Sequence, residues 1–582
     1  MLRLLVKQIS LIAVLLTTTL PALAKYVVLD PAQPIFSQLQ YENSTYEIRD
    51  DFQLNGRTLL IPNYCTLLFR GGGVKNGSVV FNNTLLDGDV RIELSKNGTA
   101  KGHIVNETIC TRWFKGNNVP LFTILNSLLP DNTHKKYIVE TGEYLIREPL
   151  VMRDVNEVIL DFNGSTLIDE TQGESSLLHR PNPMILIRTS HNVEMMNLNY
   201  KISDKRYLTK TGTAVIWLGY GQNDWDKDIY NVRIHNITGQ GSLVKAVKGG
   251  TSANMLISGV GNMHNIVVED IVYDGDVASL FNFEWGLLPA DAKEYKKKGV
   301  NYPGYYGIHP YNLTIRNVVG KNAPNCTGYI RLSSCYNATI ENCYGYNVNS
   351  LFMLYNGDFS ICRVNGSATI RNCASYINDE YKGSSLSGLL IYNTYSDPVS
   401  SKLHSELIDH NMSYIIENCE FQGYDELAGC GIRVLGGDGN VVMTNVTVKD
   451  YTLGAKLSGA EGINKVGGLS FYDCFFVNNK SSIEIYSLDG CVFQGCTFRS
   501  NYGHSSNKIG NSQIAIYSGV KDFTLRNCTF EEKNAKNKAP FVTFEQKDNV
   551  KAVIDNCVFT GSKTTVPVVA PKTVKIENSR IN

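Results

Sequence analysis

The chain has 582 residues, with 55 basic and 55 acidic side chains, so its formal net charge at neutral pH is zero. Balanced charge argues against nucleic acid as a bulk electrostatic partner. A chain of this length predicts three or four globular domains of about 150 residues, unless it is built from repeats, whose number then sets the length.

Residues 1–24 have the pattern of an export signal. Two basic residues precede an apolar run from Ile9 to Leu20, and Ala22-Leu23-Ala24 forms a small-x-small cleavage site. We therefore expect a mature protein that begins near Lys25 and is secreted or periplasmic. The apolar run is too short to favour a spanning helix, and no later segment reaches about 18 uninterrupted apolar residues. We expect no membrane insertion.

A short pattern recurs along the chain, in which an alternating stretch ends in Asn or Asp and an apolar anchor residue follows. Successive anchors are 22 to 47 residues apart, which indicates one bare turn of about 22 residues with loops of variable length inserted at its corners. Asn and Asp tolerate left-handed backbone geometry and can form a ladder at a tight bend. The anchors are Leu198, Ile237, Ile271, Val318, Cys343, Cys373, Cys419, Val446, Cys474, Cys496, Cys528, Cys557 and Ser579.

The alternation of β-branched and polar residues around each anchor predicts strands with one buried face. Strand-only repeats joined by bends favour stacked parallel coils over a propeller, whose blades need about 40 to 45 residues. We predict an all-β chain with a β-rich cap or first coils at residues 25–118 and a parallel coil array at residues 119–582. Within the second region, residues 120–131 resemble a short helix.

Fourteen cysteines in an exported chain first indicate a disulfide framework. Seven of them instead occupy the anchor position of the repeat, where a small buried side chain fills the core. We expect mostly reduced, stacked thiols, although neighbouring rungs about 4.8 Å apart are within disulfide range. No CxxC or clustered His/Cys spacing accompanies them, so we expect no metal at these residues.

The repeat pattern over residues 135–582, with segments such as TIENC, TIRNC and VIDNC, resembles the pectin-lyase-like superfamily. That superfamily includes phage tailspikes and polysaccharide-degrading enzymes. The resemblance implies a right-handed parallel β-helix solenoid with a small β-rich N-terminal cap region. The NTD, GHG and RIK motifs of polygalacturonases and the RxPxxR signature of pectate lyases are absent from the array. No catalytic residue is therefore transferred by motif.

The second strand of each coil carries outward side chains between two buried apolar ones. Glu284 and Arg331 each lie 13 residues after their anchors, which predicts neighbouring rungs. Arg433 falls in the same outward column, and Tyr355, Tyr392, Tyr472, Tyr486 and Tyr517 fall in the next one. The tyrosines are interpreted either as a stacked ladder that stiffens the sheet or as a platform for sugars.

The densest acidic region contains Asp274, Asp276 and Glu284, and Trp285 follows directly. Two carboxyl groups across a glycosidic bond serve as acid and base, or as acid and nucleophile. We expect Glu284 to be the acid, because a neighbouring aromatic side chain raises the pKa of a carboxyl group. The alternative is that Glu284 forms an ion pair with Arg331. His309 closes the insertion after Trp285, as a corner residue or a site residue.

These patterns leave three functions open. The first is an exported glycoside hydrolase that acts on a polysaccharide or complex glycan and needs no cofactor. The second is a polysaccharide lyase on a uronate-containing polymer, for which Arg331 and Arg433 are candidate base or charge-neutralising groups and calcium is a possible cofactor. The third is a non-catalytic surface or adhesive solenoid that binds glycans.

Overall fold

The computed structural model describes residues 24–582, apart from 117–118, 177, 220–227, 285–309, 357–365, 385, 394–411, 425–428, 436–438, 459–467, 489, 503, 505–507, 546–549 and 562–566. Its regular elements are almost all strands, so the predicted all-β class is confirmed. The α-helices are Ile35–Gln38 and Leu121–Leu128, and the 3₁₀ helices are Thr111–Trp113, Leu129–Asp131 and Ile509–Asn511.

The N-terminal region is itself made of parallel strands, in register across successive turns of the chain. Thr45 lies opposite both Tyr26 and Thr66, and Thr66 lies opposite Leu85. The apolar side of helix Leu121–Leu128 packs between this region and the first main coils. The N-terminal strands are Tyr26–Val28, Thr45–Ile48, Asp51–Gln53, Thr58–Leu60, Thr66–Phe69, Gly73–Gly88, Ile92–Leu94, Ala100–Ile104 and Phe114–Gly116.

The main array has two parallel sheets. Sheet A is bent once along its length, so that it supplies two faces of each coil, and its inter-coil pairings are all parallel. Its strands are Thr108–Cys110, Lys135–Ile138, Glu143–Ile146, Asn156–Asp169, His191–Ile202, Ile229–Gln240, Met263–Asp274, Tyr311–Ala323, Tyr336–Val348, Ser367–Arg371, Ala374–Tyr376, Met412–Glu417, Glu420–Gln422, Gly439–Thr444, Thr447–Lys449, Leu469–Tyr472, Phe475–Val477, Cys491–Gln494, Thr497–Ser500, Asp522–Arg526, Thr529–Glu532, Lys551–Asp555, Val558–Thr560, Lys575–Glu577 and Arg580–Ile581.

Sheet B forms the third face and contains one strand from each coil. Two short antiparallel hairpins leave the coils beside it, Glu174–Ser175 with Arg180–Pro181 and Val244–Val247 with Gly250–Ala253. The strands of sheet B are Leu150–Arg153, Ile185–Arg188, Ala214–Gly219, Met255–Val260, Ser279–Glu284, Ile330–Ser333, Phe352–Asn356, Leu386–Asn393, Gly429–Leu435, Leu453–Ser458, Ser481–Tyr486, Ile514–Ile516, Val542–Phe544 and Val568–Val569.

The bend in sheet A lies at the residue that precedes each anchor. Asn342 has a φ of 54° there, and Asn317 one of 55°. The Asn342 Nδ2 atom donates to Asn317 Oδ1 at 3.2 Å, and Asn317 Nδ2 donates to Asp270 Oδ1 at 2.9 Å. The left-handed bend and its side-chain ladder were predicted from the sequence and are confirmed.

The anchor cysteines are in the core, as predicted. Cys343 and Cys557 are fully buried, and all 13 described cysteines are free thiols. The core is one continuous cluster from the N-terminal coils to the last turn. Within the described residues, no helix is long and apolar enough to cross a membrane.

We predict that Asn342→Ala lowers the free energy of unfolding by about 2 kcal/mol, because alanine is strained at positive φ and the ladder loses a hydrogen bond. The midpoint of chemical denaturation measures this loss. Asn342→Gly is the matched control, since glycine accepts the backbone geometry and removes only the side-chain bond. Equal stability of the alanine variant and the wild type would contradict the prediction.

We predict that most thiols are unreactive in the folded protein. Burial raises the pKa of Cys326 to about 12 and that of Cys430 to about 11, so almost no thiolate forms at pH 8. Of the described thiols, a reagent at pH 8 should label only the half-buried Cys110 before denaturant is added. Rapid labelling of a second described thiol would contradict this.

Candidate functional site on the outward surface of sheet B

The outward surface of sheet B carries four of the side chains that the sequence singled out, Glu284, Arg331, Tyr355 and Arg433. Ile330 and Leu332 are buried in the core, and Arg331 between them points outward. Two outward columns run along the solenoid. The arginine column is Trp217, Ser258, Asn282, Arg331, Met353, Leu390, Arg433, Lys456 and Glu484, and the tyrosine column is Val260, Glu284, Ser333, Tyr355, Tyr392, Leu435, Ser458 and Tyr486.

The prediction that Glu284 and Arg331 occupy one column is wrong. The strand register places Glu284 opposite Ser333 and Arg331 opposite Asn282. No contact within 4.0 Å joins the Glu284 carboxylate to the Arg331 guanidinium, both of which are described. Glu284 is therefore a half-buried carboxylate at the end of its strand, and the alternative in which it pairs with Arg331 does not hold in this structure.

The error comes from the corner between the two sheets. Ile271 and Val318 are paired in sheet A, but Asn282 follows Ile271 by 11 residues while Arg331 follows Val318 by 13. Counting an equal number of residues from each anchor therefore misplaces Glu284 by two positions. A shift of two keeps the side chain on the same face of a strand, so Glu284 still points outward.

The same surface holds a group of buried polar atoms that lack a hydrogen-bond partner. Folded proteins leave few such atoms, because each one costs about 1–3 kcal/mol. Here five of them lie on neighbouring strands of sheet B, and all five are buried. They are Trp217 Nε1, Ser258 Oγ, Asn282 Oδ1, Arg331 Nε and Ser333 Oγ.

A hairpin places a second arginine on this surface. The Arg180 guanidinium lies over the Trp217 ring, 4.6 Å from its centroid. Burial lowers the pKa of Arg180, and the nearby charge of Glu284 opposes that shift. Trp217, Leu186 and Ala214 form a small apolar cluster outside the main core. Arg180 and Glu284 are thus close enough to influence each other, although no ion pair within 4.0 Å joins them.

The tyrosine column contains one stacked pair of rings in the described residues. The rings of Tyr486 and Tyr517 stack with centroids 4.3 Å apart and planes 3° from parallel. Tyr355 is only 9% exposed, which leaves little ring surface for a sugar. Tyr392 is paired with Tyr355 in the strand register, and its side chain lies outside the described residues. Tyr472, which the repeat count placed in this column, belongs to sheet A.

Asp274 and Asp276 do not form one site with Glu284. Asp274 Oδ1 accepts a hydrogen bond from Asn322 at 2.7 Å, and Asp276 accepts two from Asn325, so both stabilise corners. Strand Ser279–Glu284 rises about 3.3 Å per residue, which puts Glu284 about 16 Å beyond its first residue. Paired glycosidase carboxylates are about 5 to 9.5 Å apart.

Trp285 and His309 lie outside the described residues. Arg433 is half-buried in the arginine column, two rungs beyond Met353 and three beyond Arg331, as the repeat predicted. Sequence reasoning missed Trp217 and Asn282. Each lies between two buried apolar residues of its strand, as Arg331 does, so the same alternation could have identified them. Arg180 belongs to a hairpin insertion and has no periodic signal.

One group of potential metal ligands lies on sheet A, where donor atoms of His235, Glu269 and Asp270 are within 4.8 Å of one another. The Glu269 carboxylate already accepts hydrogen bonds from Arg233, at 2.6 Å, and from Arg316. Burial alone would raise the pKa of Glu269, and the two arginines outweigh burial and lower it. This carboxylate is neutralised by its neighbours, and we assign no metal to the group.

Comparison with known families supports the fold. Residues 407–581 match the family model described as a right-handed β-helix region. This part of the chain is a right-handed β-helix. Sheets A and B continue with the same parallel pairing through the preceding coils. The resemblance to right-handed parallel β-helix proteins that the sequence predicted is thus confirmed. A search of curated proteins finds no sequence match.

Several solved β-helix structures are similar at low identity. The mannuronan C-5 epimerase A-module of Azotobacter vinelandii is 13% identical over 77% of this chain and 90% of its own, with a TM-score of 0.36. The tailspike of Escherichia coli bacteriophage HK620, solved with a pentasaccharide, is 10% identical over 96% and 80%, with a TM-score of 0.36. A GH87 α-1,3-glucanase catalytic domain is 10% identical over 86% and 69%, with a TM-score of 0.31. Such scores assign neither chemistry nor substrate to this chain.

Proposed function

We propose that the protein is an exported carbohydrate-active enzyme that binds a polysaccharide or complex glycan on the outward surface of sheet B and hydrolyses a glycosidic bond there. The grouping of half-buried Glu284, Arg331 and Arg433 on this one surface, beside the buried polar atoms, carries this proposal. A glycan presents many hydroxyl groups, each able to donate and accept, and so matches a surface that carries carboxylate and guanidinium groups.

Glu284 is the group to which we assign acid-base chemistry. It is half-buried, it points to the same side as these polar atoms, and it lies near Arg180. A positioned carboxyl group can protonate the leaving oxygen of a glycosidic bond or activate water. Neither Asp274 nor Asp276 supplies the second carboxylate in this geometry, because both are held at corners by hydrogen bonds from Asn322 and Asn325.

Elimination is the second candidate, and the guanidinium of Arg331 favours it. Its Nε atom has no partner, and such a group can neutralise a uronate carboxylate while a base removes the neighbouring proton. The products separate the candidates. In a polysaccharide panel, new reducing ends without the absorbance of an unsaturated uronate indicate hydrolysis, and that absorbance indicates elimination. Binding without products indicates the non-catalytic solenoid.

We predict that Glu284→Gln lowers turnover by about 100-fold or more on a substrate that the wild type cleaves, because general acid-base catalysis contributes about 10²- to 10⁴-fold. The melting temperature should barely change, since Glu284 has no ion pair within 4.0 Å in the described residues. Initial-rate kinetics give the result. Wild-type turnover in this variant would remove Glu284 from the site.

Glu341→Gln is the matched control for this experiment. Glu341 lies in sheet A and accepts a hydrogen bond from Arg371 Nε at 2.8 Å. Removing this exposed pair should cost at most about 1 kcal/mol of stability and leave turnover unchanged. An equal loss of turnover in both variants would mean that the Glu284 effect reflects a general loss of acidic charge.

A further inference from the structure

Four basic side chains at the outward surface of sheet B have no acidic partner among the described residues. Among the described residues, no carboxylate lies within 4.0 Å of the charged groups of Arg180, Arg331, Arg433 or Lys456. Sheet A differs, because several of its arginines and lysines pair with acids on neighbouring coils. Such pairs include Arg233–Glu269, Arg371–Glu341, Lys449–Glu420, Arg499–Glu531 and Arg526–Asp555.

Two of these cations are direct neighbours. Arg433 and Lys456 are register partners on adjacent strands, about 4.8 Å apart along the solenoid. Like charges directly opposite each other destabilise a sheet. The next residue in the column is Glu484, whose carboxylate accepts a hydrogen bond from Tyr486 at 2.9 Å and lies more than 4.0 Å from the Lys456 ammonium. In the described residues, no carboxylate therefore lies close enough to offset the repulsion between Arg433 and Lys456.

Aromatic rings hold three of the cations in place. Arg331 lies 5.6 Å from the centroid of Tyr355, and Lys456 lies 5.2 Å from that of Tyr486. Arg180 over Trp217 is the third pair. A ring positions a cation without cancelling its charge. The result is a row of oriented positive charges along the solenoid axis, on the surface to which the glycan is assigned.

We propose that the ligand of this surface is an anionic glycan, whose carboxylate or sulfate groups pair with Arg331, Arg433 and Lys456 while its chain runs along the solenoid axis. This proposal rests on the proposed function and specifies its substrate class. Guanidinium groups suit both anions, because their planar donors match the oxygens of a carboxylate or an ester sulfate. The anion fills the place that acidic side chains fill on sheet A.

The test is binding of the full-length mature protein to an array of polysaccharides in which each acidic member stands beside its carboxyl-reduced or desulfated form. We expect binding to an acidic member and at least tenfold weaker binding to its neutral form. Loss on carboxyl reduction identifies a uronate, and loss on desulfation identifies a sulfate ester. Equal binding to both forms would overturn the anionic class and leave the glycan function standing. Binding to no polysaccharide at all would overturn both proposals.

Single substitutions test which basic side chains bind the acidic polysaccharide. Arg433→Gln and Lys456→Gln should each weaken binding to the acidic member about tenfold or more, the loss expected for one charge-assisted hydrogen bond. Arg331→Lys should weaken binding less than Arg331→Gln does, since the charge remains although the planar pair of donors is lost. Lys551→Gln removes an exposed charge from sheet A and should bind as the wild type does. An equal loss in the Lys551 variant would overturn the assignment to sheet B, and melting curves show that each variant folds.

Discussion

A left-handed bend, repeated once in each coil, is the constraint on which this structure depends. Asparagine or aspartate adopts positive φ there at small cost, whereas most side chains would be strained. Because the bend recurs at the same place, its amide side chains bond from coil to coil, and the next residue always points into the core. The stacked cysteines, half of all those in the chain, occupy that place.

The two sheets use the same parallel ladder for different purposes. In sheet A, side chains on neighbouring rungs satisfy one another through amide ladders, ion pairs and stacked rings, including the series His191, Tyr230, His264, Tyr311 and Tyr336. In the described part of sheet B, Trp217, Ser258, Asn282, Arg331 and Arg433 each keep a buried polar atom without a partner, and neither arginine has a carboxylate within 4.0 Å. Side chains that satisfy one another's hydrogen bonds and charges stabilise the solenoid. Cations that have no acidic neighbour are suited to binding an anionic ligand.

Chain connectivity points to the same surface. The two longest spacings between anchors in the sequence, 47 residues before Val318 and 46 before Cys419, contain the stretches 285–309 and 394–411, which directly follow strands of sheet B in the chain. Insertions placed at one edge of a rigid array are where solenoids build binding sites, because the array tolerates added residues at its corners. Glu284 is the last residue before the first of these insertions.

The sequence by itself determined the all-β class, the parallel coils, the positive-φ bend and the buried anchor thiols, because each depends on a local pattern that recurs at a fixed place. It also placed Arg331 and Arg433 in one outward column. Only the tertiary structure decided which residues meet across sheet B. Corners of different length separate each anchor from its next strand, so a count along the chain misplaced Glu284 by two positions and assigned Tyr472 to the wrong sheet. Arg180 reaches this surface through a hairpin that is not part of the repeat, so the repeat pattern could not predict its position.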